Sequence, residues 1–199
     1  MRRRARLILL AVVAAGTALL GLAGTAAAAT LNLAPAGAVT LRSLGRFALT
    51  GTSGFIDITL NCNISLTGTL DRAIADAPGS QLGAISGGTA DICDNGSADL
   101  LFTDPSTWRL TVQSVDLSNK QVTVLLHDFR FSYTITGITC LFEGDIPLAL
   151  SFSGAGPYTT GLAVALTHSL DLASGGFLCP TTAEGSVTFA VTPQTLTLS

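Results

Sequence analysis

From Ile56 to Leu66 the chain alternates without a break. Ile56, Ile58, Leu60, Cys62, Ile64 and Leu66 fall on one parity, and Asp57, Thr59, Asn61, Asn63 and Ser65 fall on the other. A helix would scatter these residues around its circumference, whereas a strand puts each set on one face, so the segment reads as a strand with one buried side. The same period of two recurs at Trp108, Leu110 and Val112, at Val122, Val124 and Leu126, and at Phe129, Phe131, Tyr133 and Ile135. Leu117-Ser118-Asn119-Lys120-Gln121 is the predicted hairpin between the first two of these runs. Ile138, Cys140 and Phe142 lie on the opposite parity to Ile135, and Gly137 is the expected bulge or kink that switches faces. Ile146 to Phe152, Leu162 to Leu166 and Val187 to Val191 add three further strands.

Short strands punctuated by Gly, Pro and Ser turns predict an all-β chain, an antiparallel β-sandwich or barrel, with residues 30–54 as a leading strand region. Helix signals are confined to Asp71–Ala77, ended by Pro78-Gly79 and long enough for two turns at most. Ser151 to Gly161, with Gly154-Ala155-Gly156-Pro157, reads as a loop inside one domain because alternation resumes on both sides.

The N-terminus has the three zones of a secretory leader. Arg2, Arg3, Arg4 and Arg6 precede an uncharged apolar run, Leu7 to Ala23, and Ala27-Ala28-Ala29 supplies small side chains for cleavage near Ala29/Thr30. Residues 1–29 are therefore predicted to be a cleaved Sec-type signal peptide, residues 30–199 a single exported β domain, with no integral membrane segment after cleavage. Four of the ten basic residues leave with the leader. Arg42, Arg46, Arg72, Arg109, Lys120 and Arg130 then face thirteen acids, a difference of −7. Nucleic acids and anionic lipid surfaces need clustered Lys and Arg to displace counterions, so neither is an expected partner.

Cys62, Cys93, Cys140 and Cys179 form an even set in a chain read as exported, which predicts two disulfides ahead of metal ligation. Three pairings are possible. Cys62–Cys93 with Cys140–Cys179 is preferred because each pair falls within one half of a weak internal duplication, residues 55–100 and 132–190, and each second cysteine follows a Ser-Gly-Gly turn. No CxxC redox motif is present, so the bridges read as braces.

Leu60-Asn61-Cys62 with Leu66-Thr67-Gly68-Thr69-Leu70, Trp108 opening a strand, Gly137-Ile138-Thr139-Cys140, and Cys179-Pro180 leading to Gly185-Ser186-Val187 and Leu196-Thr197-Leu198 carry a family likeness. Together they resemble the exported proteins grouped with activators of alkane oxidation, and four-cysteine exported proteins of actinobacteria. The resemblance spans nearly the whole mature chain and implies an extracellular, non-catalytic β protein associated with a surface or matrix. The chain departs from that pattern in its longer segments between Cys62 and Cys93 and between Cys140 and Cys179, and no functional residue carries over.

Chemistry-bearing residues are few. His127 and His168 are the only histidines and Glu143 and Glu184 the only glutamates, so a zinc site, which takes three protein ligands, would need both imidazoles and a carboxylate; no metal or cofactor is expected. His168 shares the parity of Leu162, Leu166, Leu170 and Leu172 and is expected as a hydrogen-bonded imidazole at the core edge. His127 and Asp128 are adjacent and would point to opposite faces of a regular strand, so they form no dyad with each other unless a bulge intervenes. Glu143 and Asp145 share a face and read as exposed acids rather than a glycosidase pair. Asp91, Asp94, Asn95 and Asp99 read as a turn around Cys93 rather than a calcium loop, because their order does not follow the EF-hand. Asn63-Ile64-Ser65 and Asn95-Gly96-Ser97 match the glycosylation sequon.

This inventory favours a secreted, non-catalytic structural, adhesive or matrix-associated component that contacts the cell envelope or itself. The alternatives are a carrier of a small hydrophobic ligand, with Phe129, Phe131 and Tyr133 lining its pocket, and a hydrolase with a site around His127 or His168.

Overall fold

Strands with one apolar and one polar face hide the first by pairing and by closing on themselves, and here the ladder returns from the last long strand to the first. The computed structural model describes residues 30–32, 37–54, 56–71, 73–75, 78–102, 107–116, 118–153, 158–192 and 196–198; the expected leader, residues 1–29, lies outside them. The strands are β1 (Thr30–Asn32), β2 (Gly37–Ser43), β3 (Phe47–Ser53), β4 (Ile56–Leu70), β5 (Ala73–Ala75), β6 (Gln81–Asp91) and β7 (Ser97–Leu100). They continue with β8 (Trp108–Asp116), β9 (Gln121–Ile135), β10 (Ile138–Ser153), β11 (Tyr158–Ser174), β12 (Thr182–Thr192) and β13 (Leu196–Leu198).

β2 and β3 run end to end along the same flank of β4, and β7 and β8 do the same along β9. Each couple fills one place in the wall. The order around the wall is then the order in the chain: β2/β3, β4, β6, β7/β8, β9, β10, β11, β12, with β12 returning to pair with β2 and β3. All these pairings are antiparallel. Of the two architectures the sequence allowed, the closed up-and-down barrel is the one formed, and closure removes the exposed edges that a sandwich would keep. β13 extends the flank of β11, and β1 and β5 form a separate two-stranded ribbon.

Eight wall places enclose a lumen that side chains can fill, and they do. Trp108, Phe131 and Phe142 are fully buried, Phe47 packs edge-on to Phe131 with ring centroids 5.3 Å apart, and Trp108 lies 4.9 Å from Phe129. Tyr133 stacks on Phe142 at 5.8 Å. Towards the other end the filling becomes aliphatic, with Val39, Leu41, Leu70, Leu82, Val124 and Val191. Where β4 and β6 approach through a register shift, glycine is needed at Gly68: a Cβ there would lie 2.1 Å from the carbonyl oxygen of Ala84.

Both disulfides have the preferred pairing, Cys62–Cys93 and Cys140–Cys179. Each ties an inward-facing cysteine of one strand, β4 or β10, to the turn that follows the next strand, β6 or β11. The two bridges stand four wall places apart and lie toward the same rim, the one formed by the β3–β4, β6–β7, β9–β10 and β11–β12 turns.

Three local expectations are corrected. Ala73–Ala75, read as part of a short helix, is strand β5 paired with β1, because two isolated turns do not repay helix nucleation when a strand partner is at hand. Gly137 is no bulge: Thr136 and Gly137, with φ of 49° and 82°, make a two-residue hairpin turn between the paired Ile135 and Ile138, the geometry whose twist suits such hairpins. The Ser151–Gly161 loop is mostly strand, since β10 runs to Ser153 and β11 begins at Tyr158; residues 154–157 lie outside the described residues.

Candidate functional site

The inward residues of β9 change parity, from Val122, Val124 and Leu126 to Phe129, Phe131 and Tyr133. A strand can do this only by inserting an extra residue, and β9 does so at His127 and Asp128, which together oppose Asp145 of β10 between the pairs Leu126–Ile146 and Phe129–Gly144. Asp128 takes up the bulge with φ of 61°, a left-handed conformation that Asp tolerates better than most residues.

The bulge aligns three strands. Asp145 accepts the Asp128 backbone N–H on Oδ1 at 3.1 Å and holds His127 Nδ1 with Oδ2 at 2.8 Å. His127 Nε2 lies 2.8 Å from Thr111 Oγ1 on β8. With Nδ1–H donating to the carboxylate, Nε2 is an acceptor and the Thr111 hydroxyl donates to it. Hydroxyl, imidazole and carboxylate thus stand in the order of an acyl-transfer relay. Thr111 is buried, however, and the imidazole closes over its hydroxyl, while Asp145 stays about half exposed. In sequence, His127 and Asp145 stand out only separately and Thr111 not at all; the parity break between Leu126 and Phe129 is the signal that His127 sits on a bulge.

Glu143 and Asp145 share the outer face as expected, but each has its own partner: Arg130 Nη2 lies 3.1 Å from Glu143 Oε2. Around Cys93, Asp94 and Asn95 form the turn, while Asp91 ends β6 and Asp99 lies in β7. Asn95 adopts φ of 62°, the Asp94 carboxylate pairs with Arg46, and Asp91 accepts from Thr89 Oγ1 at 2.8 Å. Asp116 accepts from Ser118 Oγ, the Asn119 N–H and Asn119 Nδ2, which closes the β8–β9 turn; these bonds, that of Ser118 first, bring its pKa down to about 2.

His168 lines the lumen with Phe47, Phe129 and Leu170 around an apolar cavity of about 20 Å³; a second cavity, between Leu41, Leu82 and Val124, measures about 30 Å³. Each is close to the volume of one water molecule, well below that of an aromatic ligand. Among the described residues His168 is half-buried and has no hydrogen-bond partner, so of the expected core-edge imidazole the position is observed and the bond is not. Phe129, Phe131 and Tyr133 are lumen filling packed against Phe47, Trp108 and Phe142 rather than the wall of an open pocket.

On the outside, β4 presents Asp57, Thr59, Asn61, Asn63, Ser65, Thr67 and Thr69. A barrel that crosses a bilayer turns its apolar residues outward, the reverse of β4. No helix among the described residues is long and apolar enough to cross a membrane. The fold and its sites therefore define a class, a disulfide-braced antiparallel barrel with a filled lumen and a hydroxyl-rich outer wall. Comparison with protein-family models, with curated proteins and with solved structures finds no match to this chain.

Proposed function

We propose that the protein is exported through its N-terminal leader and serves outside the cell as a non-catalytic structural or adhesive component, contacting the envelope or its own copies through its outer wall. The observation that carries this reading is the filled lumen: with cavities of about 20 and 30 Å³, what the barrel offers a partner is its outer surface. A difference of six basic residues against thirteen acids in the mature chain turns that surface away from nucleic acids and anionic lipids. The resemblance to exported proteins grouped with activators of alkane oxidation agrees with a non-catalytic extracellular role. The test is co-sedimentation of the purified mature chain with envelope fractions of the producing cell, alongside analytical ultracentrifugation. Binding to the envelope or self-association is expected; a monomer that binds neither would sink the proposal.

A second reading is favoured by one observation, the Thr111–His127–Asp145 array, which has the order of a hydrolase relay. On that reading Thr111 would be the nucleophile. The buried hydroxyl favours a brace between strands instead, and the two are separable: an activated ester or fluorophosphonate probe should leave Thr111 unlabelled, and covalent labelling lost in His127→Ala would establish the relay.

A further inference from the structure

We infer that the outer wall at the disulfide rim, where β4, β3 and β12 run side by side, binds a neutral polysaccharide. The inference rests on the adhesive reading above and names its partner. The wall there is concave, with an open volume of about 480 Å³, lined by Thr50 and Thr52 of β3, Asp57 and Thr59 of β4, and Thr182 and Glu184 of β12. All six are exposed. The register sets them in two rungs across three strands: Glu184 beside Thr50 beside Thr59, then Thr182 one step along, with Thr52 beside Asp57. Neighbouring strands stand about 4.8 Å apart and successive outward residues about 6.7 Å, so the six side chains tile a patch comparable in size to a few pyranose rings.

The chemistry of the patch selects the ligand. Four threonine hydroxyls can accept and those of Thr50, Thr59 and Thr182 can also donate, Thr52 already donating to Asp57, while two carboxylates only accept. A ligand that satisfies them must bring many O–H donors and some acceptors, and no negative charge. A neutral sugar chain does this, its adjacent hydroxyls bonding the two oxygens of one carboxylate, and such charge-assisted bonds are the stronger kind. An anionic polymer would meet Asp57, Glu184 and the overall negative charge; a cationic one would use two carboxylates and leave the hydroxyl donors of Thr50, Thr59 and Thr182 idle. Asp57 is already oriented, since Thr52 Oγ1 donates to its Oδ1 at 2.8 Å and leaves Oδ2 to a ligand.

The test uses the mature chain in affinity electrophoresis through gels containing a β-1,3-glucan, a mannan or a galactomannan, with polygalacturonate as the anionic control, and amide NMR mapping with the polymer that binds. Retention by at least one neutral polymer is expected, with shifts at Thr50, Thr52, Thr59 and Thr182. Asp57→Ala with Glu184→Ala should weaken it about tenfold, the loss of one charge-assisted bond; His127→Ala should not. No retention by any neutral polymer, equal retention of the groove variants, or retention by polygalacturonate alone would overturn the inference. Envelope co-sedimentation of the same variants separates the two claims: if wild type and groove variants sediment alike, the adhesive reading stands and the groove falls, and if none sediments or self-associates, both fall.

Discussion

Tyr133 carries the one buried side-chain oxygen without a hydrogen-bond partner among the described residues, and burial pushes its phenol pKa up. An orphaned buried hydroxyl opposes folding, whereas the ring, stacked on Phe142, supports it. Tyr133→Phe keeps the ring and removes the orphan, so it is expected to leave stability unchanged or raise it by up to about 1 kcal/mol, measured by urea denaturation. Asp116 behaves oppositely: it is exposed but satisfied. Its folded pKa of about 2 lies below the ordinary value of 3.8, so its contribution to the β8–β9 turn is present above the ordinary value and is lost as pH falls through about 2. A carboxyl titration by NMR should place the Asp116 midpoint near 2, and Asn119→Ala together with Ser118→Ala should return it towards 3.8.

At the scale of strands, the wall depends on a few irregular positions that regular alternation cannot supply. Gly68 lets β4 pass close to β6, and Gly68→Ala would drive a methyl into the Ala84 carbonyl. A loss of about 1–3 kcal/mol in chemical denaturation is expected, the usual cost of overpacking. The β9 bulge is the other such position. Removing His127 leaves the buried Thr111 hydroxyl without its partner, so His127→Ala should cost about 1 kcal/mol. A double-mutant cycle checks the mechanism: in a Thr111→Val background the cost should shrink by at least about 0.5 kcal/mol, and strict additivity would show that the three strands are not coupled through this array.

The whole molecule is a barrel closed by its last long strand on its first, with both disulfides toward one rim. Cys62–Cys93 and Cys140–Cys179 close segments of 31 and 39 residues. In the chain-entropy model each contributes about 3–4 kcal/mol by constraining the unfolded chain. Replacing either pair by Ala should therefore lower the thermal midpoint clearly, and losing both should lower it further by a comparable step, read by calorimetry on the mature chain. Most of the pairings that build the wall join consecutive places in the chain; only β12 with β2 and β3 joins distant ends. That final pairing also assembles the proposed groove, since Thr50 and Glu184 meet only when the barrel is shut.

Strand content and facing were legible because alternation is local: a residue's neighbours two positions away decide which face it takes, as at Ile56 to Leu66. Disulfide pairing was legible for a similar reason, because each bridge stays within one half of the chain. The strand Ala73–Ala75 was missed because its partner, Thr30–Asn32, is distant in sequence and local propensity is a weak guide there. The Thr111–His127–Asp145 array was legible only in part; the parity break at Leu126–Phe129 marks the bulge, but which hydroxyl and which carboxylate meet the imidazole depends on register across three strands. Sequence alone determined an antiparallel, disulfide-braced β domain with an apolar inside and a hydroxyl-rich outside. Tertiary structure decided that the sheet closes, that the lumen is filled, and that residues more than a hundred positions apart form one groove, because closure is a long-range pairing whose hydrogen bonds no local pattern encodes.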